Sequence, residues 1–309
     1  MTHPNGTLID LSHGGYQASI ASVGAAVRRL EFDGRPLIVP FAAEELRPVY
    51  RGALLAPWPN RVVDGRYAFD GAEYELPINE PARNHALHGL VHWLDFDVTR
   101  RTASQAQLRG VITAQSGYPF TVALEVTFEL TDHGLVTTVR ASNQSPAPAP
   151  YGVAAHPYLV AGTPPIDAAF LHLPAGEVLA AEGPRLLPGA VQAVAGVDDG
   201  ALDFRARRRI GDTFIDHAYT GLDVDEDGRC TVAITADDGA GAYLHWDGRQ
   251  LPWVQVHTAD RPEPQWHRAG LAVEPMTCPP DAFNTGVDLI TLEPGDGHTA
   301  SWTIGAITS

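Results

Sequence analysis

The chain has 309 residues and a net charge of −16, from 37 acidic and 21 basic side chains. Such an acidic chain repels phosphate backbones and anionic lipid surfaces, which disfavours nucleic acids and membranes as partners. All 21 basic residues are Arg, and a chain without Lys cannot be a Schiff-base aldolase, a pyridoxal enzyme or a P-loop kinase.

The cysteines and the N-terminal residues bear on the compartment. Cys230 and Cys278 form neither a C-x-x-C motif nor a disulfide framework. Residues 1–15 have neither the basic region nor the apolar region of a secretory signal. No run approaches the length of apolar sequence that a transmembrane span requires. We therefore expect a cytoplasmic protein.

Short apolar or alternating runs separated by Gly-containing turns predict β-strands along most of the chain. The first predicted strand covers residues 16–23. Turn residues then predict four hairpins, formed by 27–32 with 36–41, 66–69 with 72–76, 120–131 with 135–142, and 229–236 with 242–246. Later strands are predicted at 253–257 and, as a pair around a Pro-Gly-Asp-Gly turn, within 288–304.

Helix signals are few, which favours an all-β fold. Residues 42–46 could form one or two helical turns before Pro48, and no segment keeps a helical period over three turns. Strands at short spacing predict a large antiparallel sandwich or barrel. The Pro-rich segment 144–150 resembles a linker, but strands on both sides indicate a crossing between sheet edges. We expect a single domain over residues 1–309.

Two segments in the first third of the chain concentrate polar side chains in turns. Asn60 and Arg61 follow a stiff Pro-Trp-Pro loop, so Arg61 either presents its donors to hydroxyls or a carboxylate, or is an ordinary surface residue. His85, His88 and His92 invite a metal interpretation, but their spacing fits no zinc motif. We expect no metal here. His88, beside the permissive Gly89, is either a functional or a scattered turn histidine.

Three further side chains later in the chain combine titratable groups with apolar surroundings. His156 ends an apolar run and is held extended by Pro157, so it is either a general acid or a core histidine. Glu274 closes an apolar strand before a Pro, and burial there would raise its pKa and make it a better base. Asp216 also lies within an apolar segment, although Asp at a strand edge is common.

Several reaction classes have no support in the sequence. No G-x-S-x-G, Walker A or Rossmann G-x-G-x-x-G motif is present, so Ser-triad hydrolysis, phosphoryl transfer and hydride transfer lack their usual residues.

Taken in order, these segments resemble the aldose 1-epimerase (galactose mutarotase) family. The resemblance spans nearly the whole chain and is carried by residues 20–30 with Gly24-Ala25, Asn60-Arg61, 65–76, Leu87-His88-Gly89, His156-Pro157-Tyr158, Ile215-Asp216-His217 and Glu274-Pro275. It implies a large antiparallel β-supersandwich of the galactose mutarotase type. The chain departs from the family pattern at His257-Thr258, where family members frequently have a Tyr-Thr pair. The segment 259–268 is not aligned with the family pattern.

The resemblance also implies roles and partners. Glu274 resembles the general base, His156 the general acid and His88 the second active-site histidine, whereas Arg61 and Asp216, with Asn60 beside them, resemble the residues that bind the sugar. It implies a small-molecule sugar substrate, no cofactor and no metal, and we expect a monomer or a homodimer.

Three other functions stay open at this point. One is a hexose-6-phosphate 1-epimerase, whose phosphate would require an Arg cluster drawn from Arg83, Arg261 and Arg268. The others are a non-catalytic carbohydrate-binding protein on the same fold, and a glycoside hydrolase or polysaccharide lyase in which Glu274 and Asp216 would be the paired carboxylates. For the epimerase, Trp58 or Trp93 could stack on the apolar face of a pyranose.

Overall fold

Antiparallel strands account for nearly all regular structure in the computed structural model, which describes residues 3–162 and 164–309. The strands in chain order are β1 (Leu8–His13), β2 (Tyr16–Ala21), β3 (Ala26–Phe32), β4 (Arg35–Pro36), β5 (Leu54–Leu55), β6 (Arg61–Val63), β7 (Arg66–Phe69), β8 (Ala72–Glu75), β9 (His85–Leu87), β10 (Asp97–Arg101), β11 (Gln105–Ile112), β12 (Val122–Thr131), β13 (Gly134–Asn143), β14 (Ala149–Tyr151), β15 (Ala154–Ala155), β16 (Tyr158–Leu159), β17 (Phe170–His172), β18 (Ala175–Glu182), β19 (Leu187–Ala193), β20 (Arg208–Arg209), β21 (Asp216–Leu222), β22 (Arg229–Thr235), β23 (Gly241–Asp247), β24 (Trp253–His257), β25 (Leu271–Met276), β26 (Ile290–Leu292) and β27 (Gly297–Ile307).

Two large sheets dominate the architecture. One has nine strands in the order β10-β11-β12-β13-β27-β23-β22-β17-β20. The other has eight strands, with β19-β18-β21-β24-β25-β15-β5 along its main path and β16 paired to β25. A four-stranded sheet, β1-β2-β3-β4, and the small pairs β6-β9, β7-β8 and β14-β26 complete the fold. The all-β supersandwich predicted from the sequence is therefore confirmed.

The hydrophobic core lies between the two large sheets. Phe128 of β12 and Trp302 of β27 project from the nine-stranded sheet and line the same small apolar void as Leu54 and Ala155 of the eight-stranded sheet. These four residues belong to one continuous cluster of buried side chains. Along β12, buried residues alternate with more exposed ones because successive side chains point to opposite faces of a strand.

Helical structure is minor. Within the described residues, the α-helix is the single turn α1 (Ala282–Thr285), and short 3-10 turns occur at Pro48–Tyr50, Ile166–Ala168, Val194–Gly196 and Asp198–Gly200. The helical turn predicted at residues 42–46 is wrong. The Asn5 side-chain amide donates hydrogen bonds to the carbonyls of Ala43 and Glu45 at 3.0 and 2.9 Å, so a side chain satisfies groups that a helix would use internally. No helix is long and apolar enough to cross a membrane in the part of the chain that the structure describes.

Of the four predicted hairpins, three form as predicted and one is shortened. The hairpins β7-β8, β12-β13 and β22-β23 agree with the prediction to within two residues at each end. Strand 36–41 shortens to β4, because Val39 leaves the sheet and donates its N–H to the Tyr158 carbonyl. The two predicted C-terminal strands both form, as β26, which pairs with β14, and as β27, which lies between β13 and β23. Residues 144–150 cross from the nine-stranded sheet toward the eight-stranded sheet. The crossing begins at β13, which is an interior strand of the nine-stranded sheet and not an edge strand as predicted.

Candidate active site

A cleft opens on the face of the eight-stranded sheet that points away from the core, with a cavity volume of about 140 Å³. All six residues predicted from the sequence line it, although they come from segments far apart in the chain: Asn60, Arg61, His88, His156, Asp216 and Glu274. The arrangement joins two carboxylates, two imidazoles and a guanidinium within one concave surface.

The alternation of side chains along β24 and β25 divides the core from the cleft. Leu271 and Val273 of β25 point into the core, whereas Glu274 points to the cleft. Gln255 of β24 lies directly opposite Glu274 in the register and also lines the cleft. Because both faces are covered, all six residues of β25 are buried, and the strand continues through Pro275 instead of ending at Glu274.

His156 and Glu274 form the deepest contact of the cleft. The Nε2 atom of His156 lies 3.3 Å from Oε1 of Glu274, and their side chains are 5% and 2% exposed. Burial disfavours the charged form of each group. It lowers the pKa of His156 to about 3 and raises that of Glu274 well above its ordinary value, and the nearby Asp216 carboxylate raises it further. Burial therefore favours a neutral imidazole beside a carboxyl group that keeps its proton to higher pH than usual.

His88 reaches the pair from a strained turn after β9. Its φ is +64°, and that of the following Gly89 is +71°. The His88 N–H donates to the carbonyl of Asn60 at 2.8 Å, and the ring centroids of His88 and His156 lie 5.1 Å apart. Burial, followed by the neighbouring His156, lowers the pKa of His88 well below its ordinary value. His88 is therefore a neutral imidazole at this site.

Arg61 is held between carboxylates. Its Nε and Nη2 atoms donate to the two carboxylate oxygens of Glu80 at 2.8 and 3.1 Å, and Nη2 lies 3.9 Å from Asp216. Glu80 also accepts from Nη1 of Arg83 at 2.7 Å. Burial works against the charge of Arg61, but the hydrogen bonds to Glu80 raise its pKa above the ordinary value. Glu80 thus joins two cleft arginines, a role that the sequence analysis did not predict.

Asp216 is fixed from the neighbouring strand. Its Oδ1 atom accepts a hydrogen bond from Nε2 of Gln255 at 2.8 Å and lies 3.8 Å from Nδ1 of His257. Burial alone would raise its pKa, but His257 and Arg61 lower it below the ordinary value. Asp216 is therefore an ionised hydrogen-bond acceptor at neutral pH.

The aromatic rings at the cleft are not the tryptophans that the sequence suggested. Trp58 is buried, donates its Nε1–H to the Ala86 carbonyl and packs against Phe283. Trp93 lies under the Arg47 guanidinium, outside the cleft. Neither ring is placed to stack on a sugar in the cleft, because Trp58 is buried in the core and the 45% exposed Trp93 lies outside the cleft. Tyr50, Tyr158 and the half-exposed Phe214 line the cleft instead.

Comparisons with known proteins identify the family. A family model described as aldose 1-epimerase matches residues 7–305. The chain belongs to this aldose 1-epimerase family. One relative, the uncharacterized protein YihR of Escherichia coli K12, is 38% identical over 301 residues, which cover 96% of this chain and 92% of that protein.

Solved structures similar to this chain share the family's fold. The GalM/aldose epimerase homologue from C. elegans superposes with a TM-score of 0.84 at 17% identity, covering 98% of this chain and 99% of that chain. Galactose 1-epimerase from Lactobacillus acidophilus superposes with a TM-score of 0.78 at 19% identity, covering 97% and 94%. At these identities the likeness shows the fold, which is galactose mutarotase-like.

The side chains of His85, His88 and His92 do not point to a common site. Nε2 of His85 lies 3.0 Å from the carbonyl of Arg185 and Nδ1 of His92 lies 3.3 Å from the carbonyl of His88, so each ring faces a backbone group. Of the three, only His88 lines the cleft. A turn, unlike a helix, does not align side chains at this spacing on one face.

Several cleft residues escaped the sequence analysis. Gln255 and His257 alternate with apolar residues in β24, and polar side chains within a buried strand are a usable signal. Glu80 and Tyr50 lie in turns and carry no comparable pattern. Their positions depend on the pairing of β6 with β9 and on the left-handed backbone at Val49 and Tyr50.

Gly89 provides a test of how the backbone positions His88. A Cβ atom at Gly89 would lie 2.1 Å from the Ala56 carbonyl oxygen, whereas Gly71 has the same positive φ and open space around it. We expect Gly89→Ala to lower the free energy of unfolding clearly more than Gly71→Ala, which bears only the strain of about 1–2 kcal/mol for a left-handed residue. Urea unfolding of both variants measures this, and equal losses would show that the Ala56 contact does not constrain the turn.

Proposed function

We propose that this protein is an aldose 1-epimerase that interconverts the α and β anomers of a free aldose. The observation that carries the proposal is the 3.3 Å contact between His156 Nε2 and Glu274 Oε1 in a cleft that also contains Arg61 and Asp216. O1 and O5 of a pyranose are both bonded to C1, so two groups in contact with each other can reach both oxygens. Membership of the family supports the same reaction class.

Ring opening would use the single proton of the pair. Burial favours that proton on Glu274, and moving it to His156 leaves the total charge of the pair unchanged. From that arrangement Glu274 takes the proton of the C1 hydroxyl while His156 gives its proton to O5, and the C1–O5 bond breaks. The aldehyde then rotates about the C1–C2 bond, and the reverse transfers close the ring with the other configuration at C1.

The remaining cleft residues would hold the sugar. Asp216 offers an ionised acceptor, and Arg61 offers donors that Glu80 keeps oriented. His88 is a neutral imidazole next to His156 and can share the positioning of O5. The Oδ1 atom of Asn60 accepts hydrogen bonds from the backbone N–H of Arg61 at 3.0 Å and from its Nη1 atom at 3.3 Å. Asn60 would therefore orient the sugar-binding arginine.

The anomer exchange itself is the direct test. Purified protein should accelerate the change in optical rotation of freshly dissolved α-D-glucose or α-D-galactose. Glu274→Gln should lower kcat by about 10²- to 10⁴-fold, the usual range for one positioned proton transfer. The exposed Glu293→Gln serves as the matched control and should keep wild-type turnover. No acceleration with any common aldose, or full turnover in Glu274→Gln with its fold intact by thermal melting, would refute the assignment.

A second candidate, a hexose-6-phosphate 1-epimerase, is favoured by Arg261 alone. Arg261 lines the cleft, is exposed, and forms no ion pair with the residues that the structure describes. By contrast, Arg61 and Arg83 share the Glu80 carboxylate, and Arg268, which does not line the cleft, is bound by Asp167 and Asp260.

We therefore expect a higher kcat/KM for a neutral hexose than for its 6-phosphate. Initial rates with glucose and glucose 6-phosphate at equal concentration and ionic strength measure this difference. A clear preference for the phosphate would transfer the proposal to the second candidate.

Glu80 should control substrate binding through Arg61. Glu80→Gln replaces a carboxylate that is 12% exposed with an amide, so the carboxylate left to pair with Arg61 is that of Asp216 at 3.9 Å. We expect KM to rise by about 10-fold or more, equivalent to about 1.4 kcal/mol, with a smaller change in kcat because the His156–Glu274 pair is untouched. Glu75→Gln, in a surface ion pair with Arg66, is the matched control. Equal KM values in the two variants would contradict this role.

A further inference from the structure

We propose that His88, His156 and Glu274 form a binding site for Zn²⁺ or a similar divalent transition metal, and that the metal competes with the sugar for the cleft. The inhibitory part of this inference rests on the proposed epimerase function, whereas metal binding does not. The sequence analysis considered a metal only for His85, His88 and His92, and the structure instead gathers three ligand atoms from different parts of the chain.

The donor set and its spacing suit zinc. One ligand atom from each of the three side chains lies within 4.8 Å of the others. Ligands about 2.0–2.1 Å from a tetrahedral Zn²⁺ are separated from one another by roughly 3.3 Å. His156 Nε2 and Glu274 Oε1 are already 3.3 Å apart. The third ligand, His88, therefore needs a shift of at most about 1.5 Å, which side-chain rotation can provide.

The three side chains are available for coordination. All are at least 95% buried, and none of them makes a side-chain hydrogen bond to a residue that the structure describes. Buried atoms without partners include Nδ1 of both histidines and Oε2 of Glu274. Buried polar groups normally have partners, so unpartnered buried atoms on all three side chains point to a role of this cluster beyond packing.

Neutral imidazoles and a carboxylate are the ligand types of catalytic zinc sites with two histidines and one glutamate. Burial keeps both imidazoles neutral, which leaves their lone pairs free to bind a metal. The nearby Asp216 carboxylate favours a cation, and the charge of Arg61 opposes it but is largely compensated by Glu80. A fourth coordination position would face the open cleft, where a water or a sugar hydroxyl can bind.

Occupation of this site would block proton transfer. A metal bound to His156 Nε2 and Glu274 Oε1 displaces the proton of Glu274 into solvent and occupies the lone pairs that exchange protons with O1 and O5 of the sugar. It also lies where the anomeric carbon must be placed. The metal should therefore be a competitive inhibitor of anomer exchange, and a bound sugar should displace it.

Cobalt provides a test that does not depend on activity. Co²⁺ added to the metal-free full chain should produce the strong visible absorption of a tetrahedral complex, with one equivalent bound per chain. Zn²⁺ should bleach that absorption, and galactose should lower it in a concentration-dependent way. In parallel, calorimetric titration with Zn²⁺ should show binding weakened by about 10-fold or more in His88→Asn and in Glu274→Gln.

A variant of a surface histidine controls for metal binding outside the cleft. His13 contacts Asp132 at the surface, and His13→Asn should leave the Co²⁺ spectrum and Zn²⁺ affinity unchanged. Loss of the spectrum in His13→Asn, equal Zn²⁺ affinity in wild type and Glu274→Gln, or no tetrahedral spectrum would overturn the site. If Zn²⁺ binds but leaves anomer exchange unaffected, the competition is refuted. If no aldose is epimerised, the spectra still decide whether the metal binds, and only the proposed function fails.

Discussion

The two-residue period of β24 and β25 is the constraint on which the site depends. Each strand places one set of side chains in the core between the large sheets and the other set in the cleft. A shift of one residue in the register would bring Glu274 and Gln255 into the apolar core and Val273 into the cleft. The apolar core face therefore fixes the register, and the register in turn fixes the position of the polar groups.

This arrangement concentrates ionisable groups in a region with little water. Burying an unpaired charge is energetically unfavourable, and the structure avoids unpaired charges in two ways. Burial favours the neutral forms of both His156 and Glu274, whereas Arg61 is balanced by the carboxylates of Glu80 and Asp216. The same scarcity of water strengthens each hydrogen bond that a sugar would make with these groups.

The turns around the cleft are strained, in contrast to the regular sheets. Val49, Tyr50, Asn60 and His88 all line the cleft with positive φ, a conformation that costs a non-Gly residue about 1–3 kcal/mol. The sheets on which these turns rest supply the stability that holds them in place. Local strain at the site is thus tolerated because the core lies elsewhere, between the two large sheets.

The all-β class, most hairpins and the six residues that line the cleft could be predicted from the sequence. Those predictions depend on turns and on alternation along single strands, which are local properties. Three features of the cleft could not be predicted in this way. Glu80 joins Arg61 and Arg83, and His88 joins His156 instead of His85 and His92. Tyr50 and Phe214 line the cleft, whereas Trp58 and Trp93 do not. These contacts link residues far apart in the chain, and they form only after strand pairing has placed the turns. Local sequence patterns carry no information about such distances, because the pairing of the sheets sets them.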